Sequence, residues 1–254
     1  MDFKPLEAWV KKEIGIDLTA YKSNQLHRRI QSLMTRVGVS TIDEYIKLLK
    51  SDLGQREKFI DYLTINVTEF FRNPEIFNEF KDVIKSDFQY NTPLKIWSAA
   101  CSIGAEPYTL AMILDEMSPG VNHKILATDL DNTILNKAKK GEYSSLEIKT
   151  VPQQLLKKYF SNDGGMYNID NKLKKNITFK KHDLILDNYE NNFDIIVCRN
   201  VVIYFNQDVK DKIYEKFSKS LKKGGILFVG ATESIYNYKA FNFEKVSTFI
   251  YRKL

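Results

Sequence analysis

Histidine and cysteine, the residues that most often hold metals or act as nucleophiles, are scarce in this chain. Its 254 residues include three histidines (His27, His123, His182) and two cysteines (Cys101, Cys198). Two thiols far apart in a chain of this size make no disulfide framework. The five residues show no C-x-x-C or H-x-x-x-H spacing, which argues against a metal site. A Ser-His-Asp pattern is also missing, a weaker exclusion because triads are dispersed along a chain. No apolar run approaches the roughly 18 residues that a membrane span needs. The opening Met1-Asp2-Phe3-Lys4-Pro5 lacks the basic-then-apolar layout of a signal peptide. A cytoplasmic location is therefore expected. There are no internal repeats or low-complexity tracts.

What is present is an ordinary globular composition, 43% hydrophobic and 28% charged, with length for one large domain and a small one. The net charge of +6 is unevenly placed. Residues 134–181 hold eleven lysines against four acids, an excess larger than that of the whole chain. Such a stretch is either a solvated lysine-rich face or a docking surface for an acidic partner.

The first third reads as helical. Leu6, Trp9 and Val10 give a short apolar face. From Ser23, the residues Leu26, Ile30, Leu33, Met34 and Val37 recur at three- and four-residue spacing, and Gly38 is placed to stop that helix. Ser40 or Thr41 would cap the next one. Further helices are expected over about 55–65 and from Pro74, a first-turn proline, to about Ile84. Residues 1–85 thus read as a small all-helical N-terminal domain.

From Leu94 onward short apolar strands alternate with helices, the pattern of an α/β domain with a mostly parallel sheet over 86–254. Phe241 to Val246 and Thr248 to Tyr251 lie too close for a helical crossover and should pair antiparallel. A parallel sheet closed in this way resembles the Rossmann-like sheet of class I methyltransferases. The stretch 141–176 reads as an insertion. Its Asp163-Gly164-Gly165 turn signal lies between strand-like residues, which predicts a small antiparallel β-subdomain.

Ligands of such sheets sit beyond the carboxyl ends of the strands. The turn from Ala99 to Pro107 has small residues and Gly104, which suits either close approach of a ligand or a plain tight turn. Asp129 ends the second strand, where an acid can accept from two ribose hydroxyls or cap the following helix. Asp131 is the better candidate for that cap. Arg199 and Asn200 follow the fourth strand, where they need hydrogen-bond partners from a ligand or from the loop itself. Phe70 and Phe71, next to polar residues, suggest either a lid over an aromatic ligand or a packing segment.

Four motifs resemble those of the chemotaxis receptor glutamate methyltransferases, the CheR type: Asn66-x-Thr68-x-Phe70-Phe71-Arg72, the run from Trp97 to Tyr108, Ala127 to Asp131, and Cys198 to Phe205. The resemblance covers essentially the whole chain. It implies S-adenosylmethionine as cofactor, no metal, and methyl transfer to receptor glutamates. It also implies that Asn66, Thr68, Arg72, Arg199 and Asn200 touch the cofactor, that Glu106 meets its ammonium, and that Asp129 accepts from its ribose. Asp183 and Leu184 would lie at the adenine edge, and Tyr204 and Arg72 nearest the transferred methyl. The substrates of such enzymes lie on acidic receptor helices. Arg28, Arg29 and Arg36 sit in a stretch without acids and match a substrate-facing helix. The insertion matches the family's β-subdomain, which in some relatives pairs with a receptor's C-terminal tail. A monomer is expected. Ile103 and Ala105 depart from the family, which usually has a small hydroxyl residue and an acid there. Gly230-Ala231-Thr232-Glu233 replaces its commoner G-H-S-E. Two other readings stay open at this point. One is a nucleic-acid methyltransferase, suggested by a pI near 9.0 but without a D/N-P-P-Y loop. The other is a non-catalytic receptor- or cofactor-binding module.

Overall fold

A computed structural model describes residues 1–64, 68–89 and 91–254. These residues form two compact units. The first holds those up to Thr64 together with Tyr204–Lys210, and the second holds Thr68 to Ile203 and Asp211–Leu254.

The first unit contains α1 (Lys4–Glu13), α2 (Ser23–Arg36), α3 (Ile42–Ser51) and α4 (Leu53–Thr64). Leu6, Val10, Leu26, Ile30, Leu49 and Phe59 form its buried interior. Gly38 takes a φ of +72° just past α2, the left-handed stop expected of a glycine there. Thr41 caps α3, accepting from the Glu44 amide while the Glu44 carboxylate accepts from the Thr41 amide. The segment after residue 203 joins this unit by backbone bonds. Tyr21 and Phe205 form an antiparallel bridge, and the Lys22 amide donates to the Tyr204 carbonyl at 2.9 Å.

The second unit is a layered α/β structure. Its helices and strands are α5 (Pro74–Asp87), β1 (Lys95–Ala99), α6 (Ala105–Met117), β2 (Lys124–Asp129), α7 (Asn132–Lys140), β3 (Glu142–Ser144), α8 (Gln153–Tyr159), β4 (Phe160–Asp163), β5 (Met166–Ile169), α9 (Asn171–Lys174), β6 (Ile177–Lys181), β7 (Phe193–Cys198), the greater part of α10 (Gln207–Ser220), β8 (Leu221–Val229), β9 (Phe243–Lys245) and β10 (Ile250–Lys253). The large sheet runs β6-β2-β1-β7-β8-β10-β9. All its pairings are parallel except those of β10, which is antiparallel to both neighbours. The central strands read as continuous apolar runs because both of their faces are covered.

One expectation needs correction. The helical domain was read as extending to residue 85, but α5 belongs with the sheet. Its Phe80 stacks on Phe228 of β8 at 4.8 Å, and Phe77 meets the same ring edge-on at 5.6 Å. An amphipathic helix displays an apolar face without stating which surface will cover it. The Gly224-Gly225 pair marks an irregularity in the sheet. It lies inside β8, which starts at Leu221 and shifts register opposite Phe193 and Ile195, with Gly224 at a φ of +76°.

The insertion folds as expected into a three-stranded antiparallel sheet, β3-β5-β4, with Gly164 and Gly165 both left-handed at its hairpin. Polar contacts fasten it to α6. The Tyr159 hydroxyl lies 2.7 Å from Asp115 Oδ2 and 2.6 Å from Glu116 Oε1, and Lys172 pairs with Asp115 at 2.7 Å. Lys137 and Lys158 are likewise paired, with Glu147 and Glu116. Part of the lysine excess is therefore spent within the fold.

Phe80→Ala should lower the unfolding free energy by about 3–5 kcal/mol, the usual cost of emptying a buried aromatic site. Denaturant titration followed by circular dichroism reads this directly. A loss under about 1 kcal/mol would deny α5 its place in the sheet core.

Candidate functional site

The turn between β1 and α6 is built for close approach. Ala100, Ser102 and Gly104 take φ values of +66°, +49° and +89°. Left-handed backbone costs the two residues that carry a Cβ, and such strain gathers at ligand sites. A Cβ on Gly104 would stand 3.0 Å from Ala138 Cβ and 3.2 Å from both the Tyr108 ring and the Tyr143 hydroxyl. Space and φ both require glycine there. Ile103 is buried, and its carbonyl accepts from the Tyr143 hydroxyl at 2.8 Å. Ala105 is buried as well.

Asp129, at the tip of β2, holds this turn. Its Oδ2 accepts from the Ser102 amide at 2.8 Å and its Oδ1 from the Asp131 amide at 3.1 Å. The cap of α7 is Asp131, which accepts from Thr133 and Ile134. Burial raises the Asp129 pKa above the usual range, and the amides pull it back.

Glu106 opens α6. Ser98 Oγ donates to its Oε1 at 2.7 Å, and Arg199 Nη1 stands 4.0 Å from its Oε2. Its side chain is only 12% exposed. Burial pushes its pKa up to about 7, against the pull of Arg199 and of the Ser98 bond. Arg199 is buried between the rings of Phe77 and Phe228, at 4.9 and 5.1 Å. Its Nη2 donates to the Arg72 carbonyl at 2.8 Å and to Asn73 Oδ1 at 3.2 Å. The guanidinium thus ties the Arg72-Asn73 segment to the tip of β7. Its Nε is buried without a partner among the described residues.

The sequence-predicted residues separate into groups. Glu106, Arg199 and the Arg72 backbone come together, and Asp129 joins them through the turn it braces. Thr68 and Arg72 are half-buried, whereas Asn66 lies outside the described residues. The lid reading of the two phenylalanines fails. Phe70 is fully buried, edge-on to Tyr143 and Phe160, and Phe71 packs against Phe77. Asp183, after β6, turns its Oδ1 to the amides of Ile185 and Leu186, and Leu184 is buried. Asn200 is left-handed, and its amide bonds Glu233. Tyr204, Arg28 and Arg29 belong to the first unit and line a cavity of about 390 Å³ with Tyr21, Lys22 and Tyr62. Arg28 is exposed. Arg29 is partly engaged, donating to the Tyr62 carbonyl with its guanidinium 4.4 Å over the Tyr62 ring, while Arg36 is exposed at 5.4 Å from that ring.

Two residues escaped the sequence reading as parts of this site, Ser98 and Glu233. Ser98 alternates into an apolar strand, which is a signal. Glu233 carries none beyond being an acid placed just after a strand.

The sheet order, the strained turn after β1 and the acid at the tip of β2 define a nucleoside-binding methyltransferase of the doubly wound class. Residues 1–64 match the CheR methyltransferase all-alpha domain, and residues 66–250 the CheR methyltransferase SAM binding domain. The chain is 41% identical over 247 residues to the chemotaxis protein methyltransferase of Listeria monocytogenes, covering 96% of this chain and 94% of that one. It is 32% identical over 243 residues to that of Escherichia coli, covering 91% and 84%. Among solved structures, PKMT2 from Rickettsia typhi is 26% identical with a TM-score of 0.36, covering 59% of this chain and about a quarter of its own length. The chain belongs to the CheR family of chemotaxis protein methyltransferases, with both its all-helical and its S-adenosylmethionine-binding domains.

The Glu106 carboxyl gives a pH signature. Its folded pKa is raised, so its contribution to stability is complete below the unfolded value of about 4.5 and is lost as pH rises through about 7. In ligand-free protein, Glu106→Gln should therefore melt higher than wild type at pH 8, by on the order of 1–3 kcal/mol, and the gap should shrink towards pH 5. Equal melting shifts at both pH values would remove the titrating role.

Proposed function

We propose that this chain transfers the methyl group of S-adenosylmethionine to glutamate side chains of chemotaxis receptors, acting as a monomer in the cytoplasm. Family membership supports the reaction class. The observation that carries the reading is Glu106, a buried carboxylate short of positive charge at the rim of a strained, small-residue turn. A ligand with an ammonium group fits that deficit. No helix among the described residues is long and apolar enough to cross a membrane.

When bound, the cofactor supplies a methyl group made electrophilic by its sulfonium sulfur. Glu106 would hold the ammonium, and Asp129 would use lone pairs left over from its backbone amides for the ribose hydroxyls. Asp183 and Leu184 would meet the adenine. Asn66, Thr68, Arg72 and Asn200 would complete the contacts. Arg199 supports them, holding the Arg72 carbonyl and facing Glu106.

The attacking group needs no base, because a glutamate with a pKa of about 4.3 is already ionised at neutral pH. The chain's task is alignment, which is worth roughly 7–11 kcal/mol when complete. The carboxylate loses charge on the way to the transition state, so a tight ion pair in the ground state would slow the step. Arg72 is accordingly assigned to positioning and Tyr204 to a milder hydrogen bond or packing contact. Lys22, Arg28 and Arg29 around one cavity, with Arg36 further along α2, suit an acidic receptor helix. The edges of the β3-β5-β4 sheet suit a receptor tail added as a strand.

The decisive assay is methyl transfer from labelled S-adenosylmethionine to a receptor cytoplasmic fragment. Release of the label as methanol in mild base identifies a carboxyl ester, whereas base-stable label would point to another acceptor. In that assay Arg72→Ala should slow transfer about a hundredfold. Tyr204→Phe should slow it about tenfold, the worth of one hydrogen bond. Wild-type rates in both variants would remove these two roles. Arg28→Glu should raise the KM for the receptor fragment with kcat little changed, and an unchanged KM would take α2 out of docking.

A further inference from the structure

We propose that Glu233 is a positioning residue of the methyl-transfer site, its carboxylate filling a nest of backbone amides and so fixing the turn after β7. The proposal rests on the reading of that turn as part of the cofactor site.

Glu233 comes from the loop after β8 and is 4% exposed. Its Oε2 accepts from the Asn200 amide at 2.6 Å and from the Gly230 amide at 2.9 Å, and its Oε1 accepts from the Val201 amide at 2.9 Å. The Ile203 amide is a fourth donor. A turn whose successive N–H groups converge on one point forms a concave anion site, and left-handed Asn200 gives this turn that shape. Here the anion is the chain's own side chain. The approach is close enough to dictate a second residue. A Cβ on Gly230 would lie 2.5 Å from Glu233 Oε2 and 3.0 Å from the Asn200 nitrogen. The loops after β7 and β8 are therefore locked to each other through one carboxylate.

The locked turn begins at Arg199. That guanidinium holds the Arg72 carbonyl at 2.8 Å and faces Glu106 at 4.0 Å, so its placement sets the part of the pocket assigned to the methionine end of the cofactor. The nucleoside end depends on other supports. Asp129 is braced by the Ser102 and Asp131 amides, and Asp183 by its own turn. Glutamine at 233 keeps the shape but brings an NH₂ group against amide donors, so at least one of the four loses its acceptor.

This division gives a test that separates positioning from general scaffolding. Calorimetry on the full chain would compare S-adenosylhomocysteine with adenosine, and hydrogen exchange would follow the amides of residues 200, 201 and 203. In Glu233→Gln, affinity for S-adenosylhomocysteine should fall at least tenfold, adenosine should bind within about twofold of wild type, and the three amides should exchange faster. In methyl transfer kcat should fall and the cofactor KM should rise. Unchanged affinities and rates would overturn the proposal. Equal losses for both ligands would also overturn it, since that is what a general loosening of the fold produces. If Glu233→Gln does not fold, Glu233→Asp, which keeps two acceptor oxygens on a shorter stem, is read in the same way. Wild-type protein that binds neither ligand would instead sink the reading of the site itself.

Discussion

The cost of keeping a negative charge out of water at Glu106 organises this site. A carboxylate taken from water needs a positive partner or enough hydrogen bonds, or it takes up a proton. Glu106 has one hydroxyl donor and one guanidinium at 4.0 Å, and its pKa rises to about 7. The compensation is incomplete. The neighbouring acids differ in their partners: Asp129 and Glu233 are held by backbone amides, although burial raises their pKa values too. Asp129 and Glu233 thus brace loops through the backbone, whereas Glu106 meets only side chains, the Ser98 hydroxyl and the Arg199 guanidinium, among the described residues. The kind of partner, backbone amide or side chain, separates the three carboxylates.

Arg199 shows the same economy from the positive side. It looks like a ligand contact in sequence, an arginine at a strand tip. Its guanidinium instead lies between two phenylalanine rings with its donors directed to the Arg72 carbonyl and Asn73. A buried guanidinium held in this way is a rigid reference point for the groups around it. The strain in Ala100 and Ser102 has a comparable origin, because a backbone held by Asp129 and packed against Tyr143 can sustain conformations that an exposed loop would relax.

Local signals were legible in the sequence. Gly38 and the Thr41-Glu44 box act within a few residues of themselves, and the alternation of strands and helices needs no tertiary context. The same holds for the terminal antiparallel pair, which the short spacing alone required. Contacts that join distant segments were not legible. That α5 covers Phe228 depends on a ring some 150 residues away in sequence, and no periodicity encodes such a partner. The role of Asp129 was legible in part: its position announced a functional acid, but not that backbone amides would occupy it. Glu233 was nearly silent, because its partners are backbone amides that any residues supply.

The position of β10 bears on how the molecule is assembled. This strand lies between β8 and β9 and is the last of the three to leave the ribosome. Until it arrives, β8 presents a bare hydrogen-bonding rim and β9 has nothing to pair with. An intermediate made during synthesis would therefore carry an open edge on β8, beside its buried apolar run 226–229, the kind of surface that invites self-association. Insertion of four residues, Ile250–Lys253, closes that edge.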